Sequence, residues 1–180
     1  NRQEFVLLSD TLGVSTLVDS INFPVLPGVT KSTVLGPFWT QQMPDCKLGD
    51  DIHGAMKGEP CYVYGTLKSS DGSPLGNAQF DVWHSDDDGF YDVQQMEKMG
   101  GPAGRGRFHT DKDGKFWFWT IKPTCYPVPT DGPVGEMLRG QGRHHSHHGH
   151  YKKTDQQEGR ASHQTSALGL LARARGVVWQ

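Results

Sequence analysis

The sequence predicts a mainly β protein, in which a β-sandwich core follows an N-terminal helical segment. Four short segments alternate apolar with polar residues, which is the period of a half-buried strand. The 180 residues include 23 glycines and 11 prolines, a content typical of a loop-rich β domain. Several antiparallel segments in a chain of this length favour two sheets packed face to face.

Length, charge and cysteine content limit the classes of function. A chain of 180 residues has the size of a single domain. Its net charge of -2 argues against a nucleic-acid or membrane partner, and no apolar run approaches the ~20 residues that span a bilayer. Cys46, Cys61 and Cys125 form no CxxC motif, so neither a disulfide framework nor a zinc site is indicated. The reducing cytoplasm is therefore the expected location.

The N-terminal segment is expected to be helical. Residues 2–21 place apolar side chains at helical spacing, and Gly13 weakens the middle enough to divide the helix in two. The pattern is already under way at Asn1, so we expect further residues upstream. Pro24 and Pro27 end the helix and begin a linker.

An apolar run and a first strand follow the linker. The run is TVLGPFW at 33–39, and its Gly36-Pro37 pair forms either a plain turn or a close backbone approach to a ligand. Residues 61–67 then alternate aromatic with aliphatic side chains, which predicts a strand.

Three further strands are expected before the C-terminal third of the chain. The first, 78–83, ends in the turn-forming run DDDG at 86–89. The next two, 107–110 and 115–121, are separated by DKDG, which predicts a hairpin. The connection 96–106 is rich in glycine and is expected to be a mobile link.

The chain changes character after a last short helix. That helix is expected at 133–139, because Pro133 suits a first helical turn. Five histidines then crowd into 144–150. No alternating strand is recognisable in 151–180, and a disordered tail is one prediction for this region.

Tyr91 and Tyr126 are the candidate functional residues. Each lies just beyond a predicted strand, and Pro123, Pro127 and Pro129 fix the backbone around the second tyrosine. A phenolate suits a hard trivalent cation, and two phenolates with imidazoles make a ligand set that iron(III) favours. The alternative is structural, because tyrosine is common at strand ends with its hydroxyl in water.

Five ordered motifs resemble those of the intradiol ring-cleavage dioxygenases, within the hydroxyquinol 1,2-dioxygenase and catechol 1,2-dioxygenase group that includes fungal members. They are NRQEFVLLSD, TVLGPFW, DVWHSDDDGFYDVQ, GRFHTDKDGKFWF and YPVPTDGPVG. The resemblance implies a mixed β-sandwich with an N-terminal helical linker that builds a homodimer. Residues 1–32 are then the linker and dimerisation segment, 33–143 the core, and 144–180 an atypical His-rich tail.

The resemblance also implies a function. Members of the family hold a non-haem iron(III), Fe(3+), with two tyrosines and two histidines, and use O2 to split catechols between the hydroxyl-bearing carbons into muconate-type diacids. By resemblance Tyr91 is the equatorial phenolate, and Tyr126 is the axial phenolate that also accepts a substrate proton. The residues that match the family's substrate pocket are Leu7, Asp10, Val34, Leu35, Gly36, Pro37, Phe38, Val128 and Pro129. Asp10 favours the hydroxyquinol branch.

The His-rich run departs from the family pattern, which places a His-x-His pair on a strand. Counted without gaps from Arg143, the two ligand positions fall on His150 and Lys152, and the family's substrate-facing arginine falls on His147. A protonated lysine cannot ligate iron. A shift of two residues pairs His148 with His150 at the required spacing. The alternative is a His-rich surface loop that binds metals adventitiously.

Other interpretations compete with an active enzyme. The strands that follow the His pair in the family are not recognisable, so reduced stability and weak or no activity are expected. A non-catalytic β-sandwich of the same descent would serve only as a binding or dimerising module. A calcium-loop interpretation of DDDG and DKDG lacks the spaced carboxylate that an EF-hand requires. His84 and His109 are interpreted as structural residues.

Overall fold

Short helices and eight strands make up the regular structure in the part of the chain that the computed structural model describes. That part comprises 4–24, 29–30, 35–124, 126–143, 146–147, 169–172 and 178–179, of which 126–127, 146–147, 169–172 and 178–179 are described by their backbone alone. The helices are α1 (Glu4–Thr11), α2 (Val14–Asn22), α3 (Met96–Met99) and α4 (Pro133–Gly140). The strands are β1 (Pro60–Lys68), β2 (Gln79–Trp83), β3 (Arg105–His109), β4 (Lys115–Ile121), β5 (Tyr126–Pro127), β6 (Ser146–His147), β7 (Gly169–Ala172) and β8 (Val178–Trp179). The mainly β fold class is confirmed.

The strands form two three-stranded sheets and one separate pair. One sheet has the order β4-β1-β8 and the other β3-β2-β7, while β5 pairs with β6. The named strands pair antiparallel, and the longest ladder joins β1 to β4. Isolated parallel bridges join Asp45 to Arg107 and Asp51 to Trp119 at the outer edges of β3 and β4.

Aromatic side chains fill the space between the two sheets. Phe116 and Phe118 of β4 are buried, because they alternate with residues that point away from the core. The ring centroid of Phe116 lies 4.9 Å from that of Phe80 in β2, and the centroid of Phe118 lies 5.0 Å from that of Phe108 in β3. Burying each of these rings stabilises the fold by about 1.5–3 kcal/mol. The core therefore joins the sheets into a sandwich.

Two helices precede the sandwich and leave much of their apolar surface uncovered. Gly13 has a φ of 76° and separates α1 from α2, so the predicted division of the helix is confirmed. Leu7 and Leu8 of α1 pack against the cluster that contains α4 residues. The exposed apolar side chains of this region are Phe5, Val6, Leu12, Val14, Leu17, Val18, Ile21 and Phe23. No helix in the described ranges is long and apolar enough to cross a membrane.

The DKDG turn forms, but the predicted hairpin around it is wrong. The Asp111 N–H donates to the Lys115 carbonyl at 2.9 Å, and the Gly114 N–H donates to the Asp111 carbonyl at 3.1 Å. However, β3 pairs with β2 and β4 pairs with β1, so the turn carries the chain from one sheet to the other. Alternation identifies the buried face of a strand but not its sheet, because the inner faces of both sheets are apolar.

Two further expectations were wrong. The segment 96–106 is not merely a link, because it contains α3 and the start of β3, with Met99 and Ala103 buried. In 151–180, where no strand was expected, β7 pairs with β2 and β8 pairs with β1. A short strand at a sheet edge gains ladder hydrogen bonds without a long alternating pattern, so sequence periodicity does not detect it. The predicted domain boundaries stay predictions.

Candidate active site

Tyr91 is placed by the turn that follows β2. The Asp86 carboxylate builds this turn by accepting from the N–H groups of Asp88 at 3.0 Å and Phe90 at 2.8 Å. The Tyr91 N–H then donates to the Gln94 side-chain oxygen at 2.8 Å, and the tyrosine is only 6% exposed. The acidic run is thus explained by turn chemistry, because its first carboxylate holds the backbone.

Apolar side chains surround the Tyr91 ring. Met43 and Trp83 are buried with it in one cluster, which we call the Tyr91 cluster. The Phe38 ring stacks on Tyr91 with centroids 4.3 Å apart and an angle of 18° between the ring planes. The apolar TVLGPFW run therefore ends against the candidate phenolate. Its Gly36 adopts a φ of 75°, a backbone conformation that favours glycine.

The segment that carries Tyr126 is tied to the same turn. The Ser85 hydroxyl donates to the Thr124 carbonyl at 3.1 Å, and the Thr124 N–H donates to the Asp86 carbonyl at 3.4 Å. Two residues further on, Tyr126 enters β5 and lies opposite His147 of β6. The segments that bear both candidate phenols and a His-bearing strand thus lie side by side. The approach of the two phenol oxygens stays a prediction.

The predicted imidazole ligands cannot be placed in the same way. His148 and His150 lie outside the described residues, as does Lys152 of the ungapped register. Among the side chains that are described, no group of three or more His, Cys, Asp or Glu is arranged to hold a metal ion. Both ligand registers stay predictions.

The predicted substrate-lining residues fall in two places. Leu7 packs with Val128 in a cluster with α4 residues, and Phe38 belongs to the Tyr91 cluster. The other described members are half-buried or exposed: Asp10, Leu35, Gly36, Pro37 and Pro129. Val34 lies outside the described residues. The structure thus brings Leu7 and Val128 together, and the role of these residues in substrate binding stays a prediction.

A neutral histidine lies beneath the turn. Nδ1 of His84 is 2.8 Å from the Ser85 carbonyl, and Nε2 is 2.5 Å from the Thr120 hydroxyl. Because a carbonyl only accepts, Nδ1–H donates to it and Nε2 accepts from the hydroxyl. Burial lowers the pKa of His84 below its ordinary value, against the opposing effect of the Ser85 carbonyl. The structural interpretation of His84 is confirmed.

Sequence reasoning missed a buried ion pair behind Tyr91. Asp92 and Arg105 form this pair. The predicted glycine-rich link 96–106 contains Arg105, and a mobile link gives no reason to expect a buried arginine. A signal was present in the Arg-Gly-Arg run at the start of β3. Its second arginine, Arg107, pairs with Asp81 of the neighbouring strand, and Arg105 occupies the alternate position of the same strand, so the run indicates a strand but not the Asp92 partner.

Comparison with known proteins defines the class. The family model Dioxygenase_C, described as a dioxygenase, matches residues 35–156. Hydroxyquinol 1,2-dioxygenase of Rhizobium sp. is 48% identical over 143 residues, which cover 79% of this chain and 48% of that protein. The enzyme of the same name from Rhodococcus opacus is 44% identical over 142 residues, which cover 79% and 47%. The chain belongs to the intradiol ring-cleavage dioxygenase family. It spans about half the length of these relatives.

Solved structures agree with this assignment. Hydroxyquinol 1,2-dioxygenase from Pseudomonas putida DLL-E4 has a TM-score of 0.78 and 41% identity, with coverage of 99% of this chain and 56% of that one. Catechol 1,2-dioxygenase from Acinetobacter sp. ADP1 has a TM-score of 0.70 and 27% identity, with coverage of 80% and 49%. The family indicated by the five sequence motifs is confirmed.

Proposed function

We propose that this chain carries the catalytic core of an intradiol ring-cleavage dioxygenase acting on a catechol or a hydroxyquinol. The reaction inserts both atoms of O2 between the two hydroxyl-bearing carbons and yields a muconate-type diacid. The observation that carries the proposal is the pair of hydrogen bonds that Thr124 makes with Ser85 and Asp86, which join the two tyrosine-bearing segments. The hydroxyquinol 1,2-dioxygenases among the relatives support the substrate class.

The residues present fit a non-haem ferric ion. A buried tyrosine, a second tyrosine on an adjoining segment and the strand with His147 beside it are residues of the types whose oxygen and nitrogen donors iron(III) favours. We assign Tyr91, Tyr126, His148 and His150 as ligands. When bound, ferric iron would act as a Lewis acid that draws electron density from the deprotonated diol.

The protein's own groups bind and deprotonate the diol. The Tyr126 phenolate oxygen accepts a proton from a substrate hydroxyl, since a base within hydrogen-bond reach of that proton is what the deprotonation needs. Phe38 covers one face of the Tyr91 ring and excludes water from it. Leu7, which packs against the buried cluster that contains Val128, offers an apolar side chain to the substrate ring.

Tyrosine-to-phenylalanine variants test the proposal. If the proposal holds, the wild type binds about one ferric ion per chain with a visible phenolate-to-iron colour and consumes O2 with catechol or hydroxyquinol, which would contradict the weak or absent activity expected from the atypical tail. Tyr126→Phe and Tyr91→Phe each remove one of the two phenol oxygens, so a weaker and shifted colour and a lower iron content are expected. Tyr64→Phe, at an exposed position of β1, is the matched control and should retain the wild-type colour.

A wild type that binds no ferric ion would refute the enzyme proposal, and the non-catalytic β-sandwich would then be the better description of the chain. The same change of colour in all three variants would point to general damage rather than to the loss of a ligand.

We also propose that two copies associate through α1 and α2. These helices expose a row of large apolar side chains, including Leu17 and Ile21, and such a surface is typical of an interface.

We further propose a cytoplasmic location. The thiols of Cys46 and Cys61 are free, as is usual in that reducing compartment.

A further inference from the structure

A buried ion pair joins the loop after Tyr91 to β3. The side chains of Arg105 and Asp92 are each 2% exposed. Nε of Arg105 donates to Oδ2 of Asp92 at 2.5 Å, and Nη2 donates to the other carboxylate oxygen, so the contact is bidentate. The carboxylate also accepts from the N–H groups of Val93 at 2.8 Å and Ala103 at 3.1 Å. These four contacts fix the orientation of the carboxylate.

The same guanidinium holds a second segment. Nη1 of Arg105 donates to the Thr40 hydroxyl, and Nη2 donates to the Phe38 carbonyl, each at 3.2 Å. A guanidinium presents its donors in a planar fork at fixed angles, whereas a lysine ammonium is a single point. Only an arginine can therefore tie residues 38–40 to Asp92 in this geometry.

Both segments end on one aromatic ring. Asp92 directly follows Tyr91, and Phe38 stacks on the Tyr91 ring at 4.3 Å. Arg105 therefore reaches the backbone of the tyrosine through Asp92 and the face of its ring through Phe38. Because the phenol oxygen is at the far end of that ring, a small rotation of either segment would displace it.

We propose that Arg105 is a positioning residue that fixes the direction of the Tyr91 phenol and its spacing from Phe38. The inference rests on the proposed function, since it concerns the residue assigned as an iron ligand there. Stability alone is a poor explanation for the pair. Apolar side chains of similar volume often stabilise a fold as well as a buried ion pair does.

Arg107 provides a matched control in the same strand. It lies two residues further along β3 and makes a bidentate pair with Asp81, with Nε–Oδ1 at 2.8 Å and Nη2–Oδ2 at 3.1 Å. Its partner lies in β2 and not in the loop after Tyr91, although the Asp81 carboxylate also accepts from Nε1–H of Trp39 at 3.4 Å. Arg105→Lys and Arg107→Lys thus make the same chemical change with different consequences for the tyrosine.

Hydrogen–deuterium exchange of the metal-free full chain is the first measurement. In Arg105→Lys, exchange in 35–43 and 86–95 is expected to rise roughly tenfold or more, because hydrogen bonds to a charged group are lost there. Exchange in β1 and β4 should not change. Arg107→Lys should leave 86–95 at wild-type rates, and this segment is the one that decides, because Trp39 in 35–43 donates to the Arg107 partner Asp81. Equal rises in 86–95 in the two variants, or a uniform rise across the sandwich, would overturn the proposal.

The second measurement uses the ferric-loaded protein. Arg105→Lys is expected to shift the phenolate-to-iron absorption, and Arg107→Lys is not.

If Arg105→Lys does not fold, Thr40→Val replaces it in the exchange measurement, because this change removes one acceptor of the guanidinium at a half-exposed position. A rise of exchange in 86–95 is then the decisive result, because the Thr40 hydroxyl also donates to the Gln42 carbonyl at 3.1 Å and its loss alone would change 35–43. Wild-type rates in 86–95 would refute the role. A wild type without iron would defeat the proposed function, whereas the metal-free exchange would still decide the role of Arg105.

Discussion

Acidification should destabilise this protein through His84. The side chain is 1% exposed, and both ring nitrogens already make hydrogen bonds. Burial holds the pKa of His84 below its ordinary 6.5, with a further lowering by Arg105, although Asp92 and Asp86 act to raise it. The folded state therefore keeps this imidazole neutral at a pH where the unfolded chain protonates it.

The sign and size of the effect follow from proton linkage. As the pH falls below 6.5, the unfolded state binds a proton at His84 that the folded state does not bind, so the free energy of unfolding decreases. The contribution of the neutral His84 to the free energy of unfolding is fully present above pH 6.5. It decreases as the pH falls from 6.5 towards the lowered folded-state pKa of His84, and no further decrease occurs below that pKa. One proton corresponds to about 1.4 kcal/mol per pH unit. Between about pH 7.5 and about pH 5.5, the loss of stability through His84 is therefore at most about 1.4 kcal/mol.

Urea unfolding of the wild type and His84→Gln at both pH values measures this difference. Glutamine can donate to the Ser85 carbonyl and accept from Thr120, but it does not titrate. On acidification, the free energy of unfolding of the wild type should fall further than that of the variant, by up to about 1.4 kcal/mol. His109→Gln, at an exposed position of β3, should behave as the wild type does. Equal pH dependence of wild type and His84→Gln would refute the reasoning.

Two further predictions concern the core and the helices. Phe118→Ala should lower the free energy of unfolding by about 3–5 kcal/mol, because it empties the space between the sheets, while Trp119→Ala at an exposed position should cost about 1 kcal/mol or less by urea unfolding. Leu17→Glu should convert the proposed dimer to a monomer in sedimentation experiments, because it buries a charge in an apolar interface, while Thr16→Glu should not. An unchanged mass for Leu17→Glu would argue against the dimer.

The fold was readable from sequence wherever the determinants are local. Gly13 divides the helices because its own backbone adopts a positive φ, and Asp111 forms its turn with amides a few residues away. The sheet that each strand joins depends instead on contacts between distant parts of the chain. Phe108 of β3 and Phe118 of β4, for example, lie in opposite sheets and pack against each other. Both residues look alike in a pattern of alternation, so the predicted hairpin failed although its turn formed.

The candidate site likewise has a part that local sequence determines and a part that depends on contacts between distant residues. The position of Tyr91 follows from the Asp86 turn, which the sequence displays directly. The link to the Tyr126 segment depends on Ser85 and Thr124, which are 39 residues apart, and no local pattern connects them. The resemblance to a family with two tyrosine ligands is what predicts that Tyr91 and Tyr126 belong to one site.

The buried ion pair of Arg105 with Asp92 is better explained by orientation of the site than by stability of the fold. Arg105 has partners 13, 65 and 67 positions away in the sequence, and these contacts require two separate segments, 38–40 and the one with Asp92, to be in place. Taking both charges of such a pair out of water costs several kcal/mol per ion, and good geometry is needed to offset it. A sandwich that needed only stability could fill the same volume with apolar side chains. The ion pair is better explained by orientation, because it holds one carboxylate and one carbonyl at set positions around the ring that carries the candidate iron ligand.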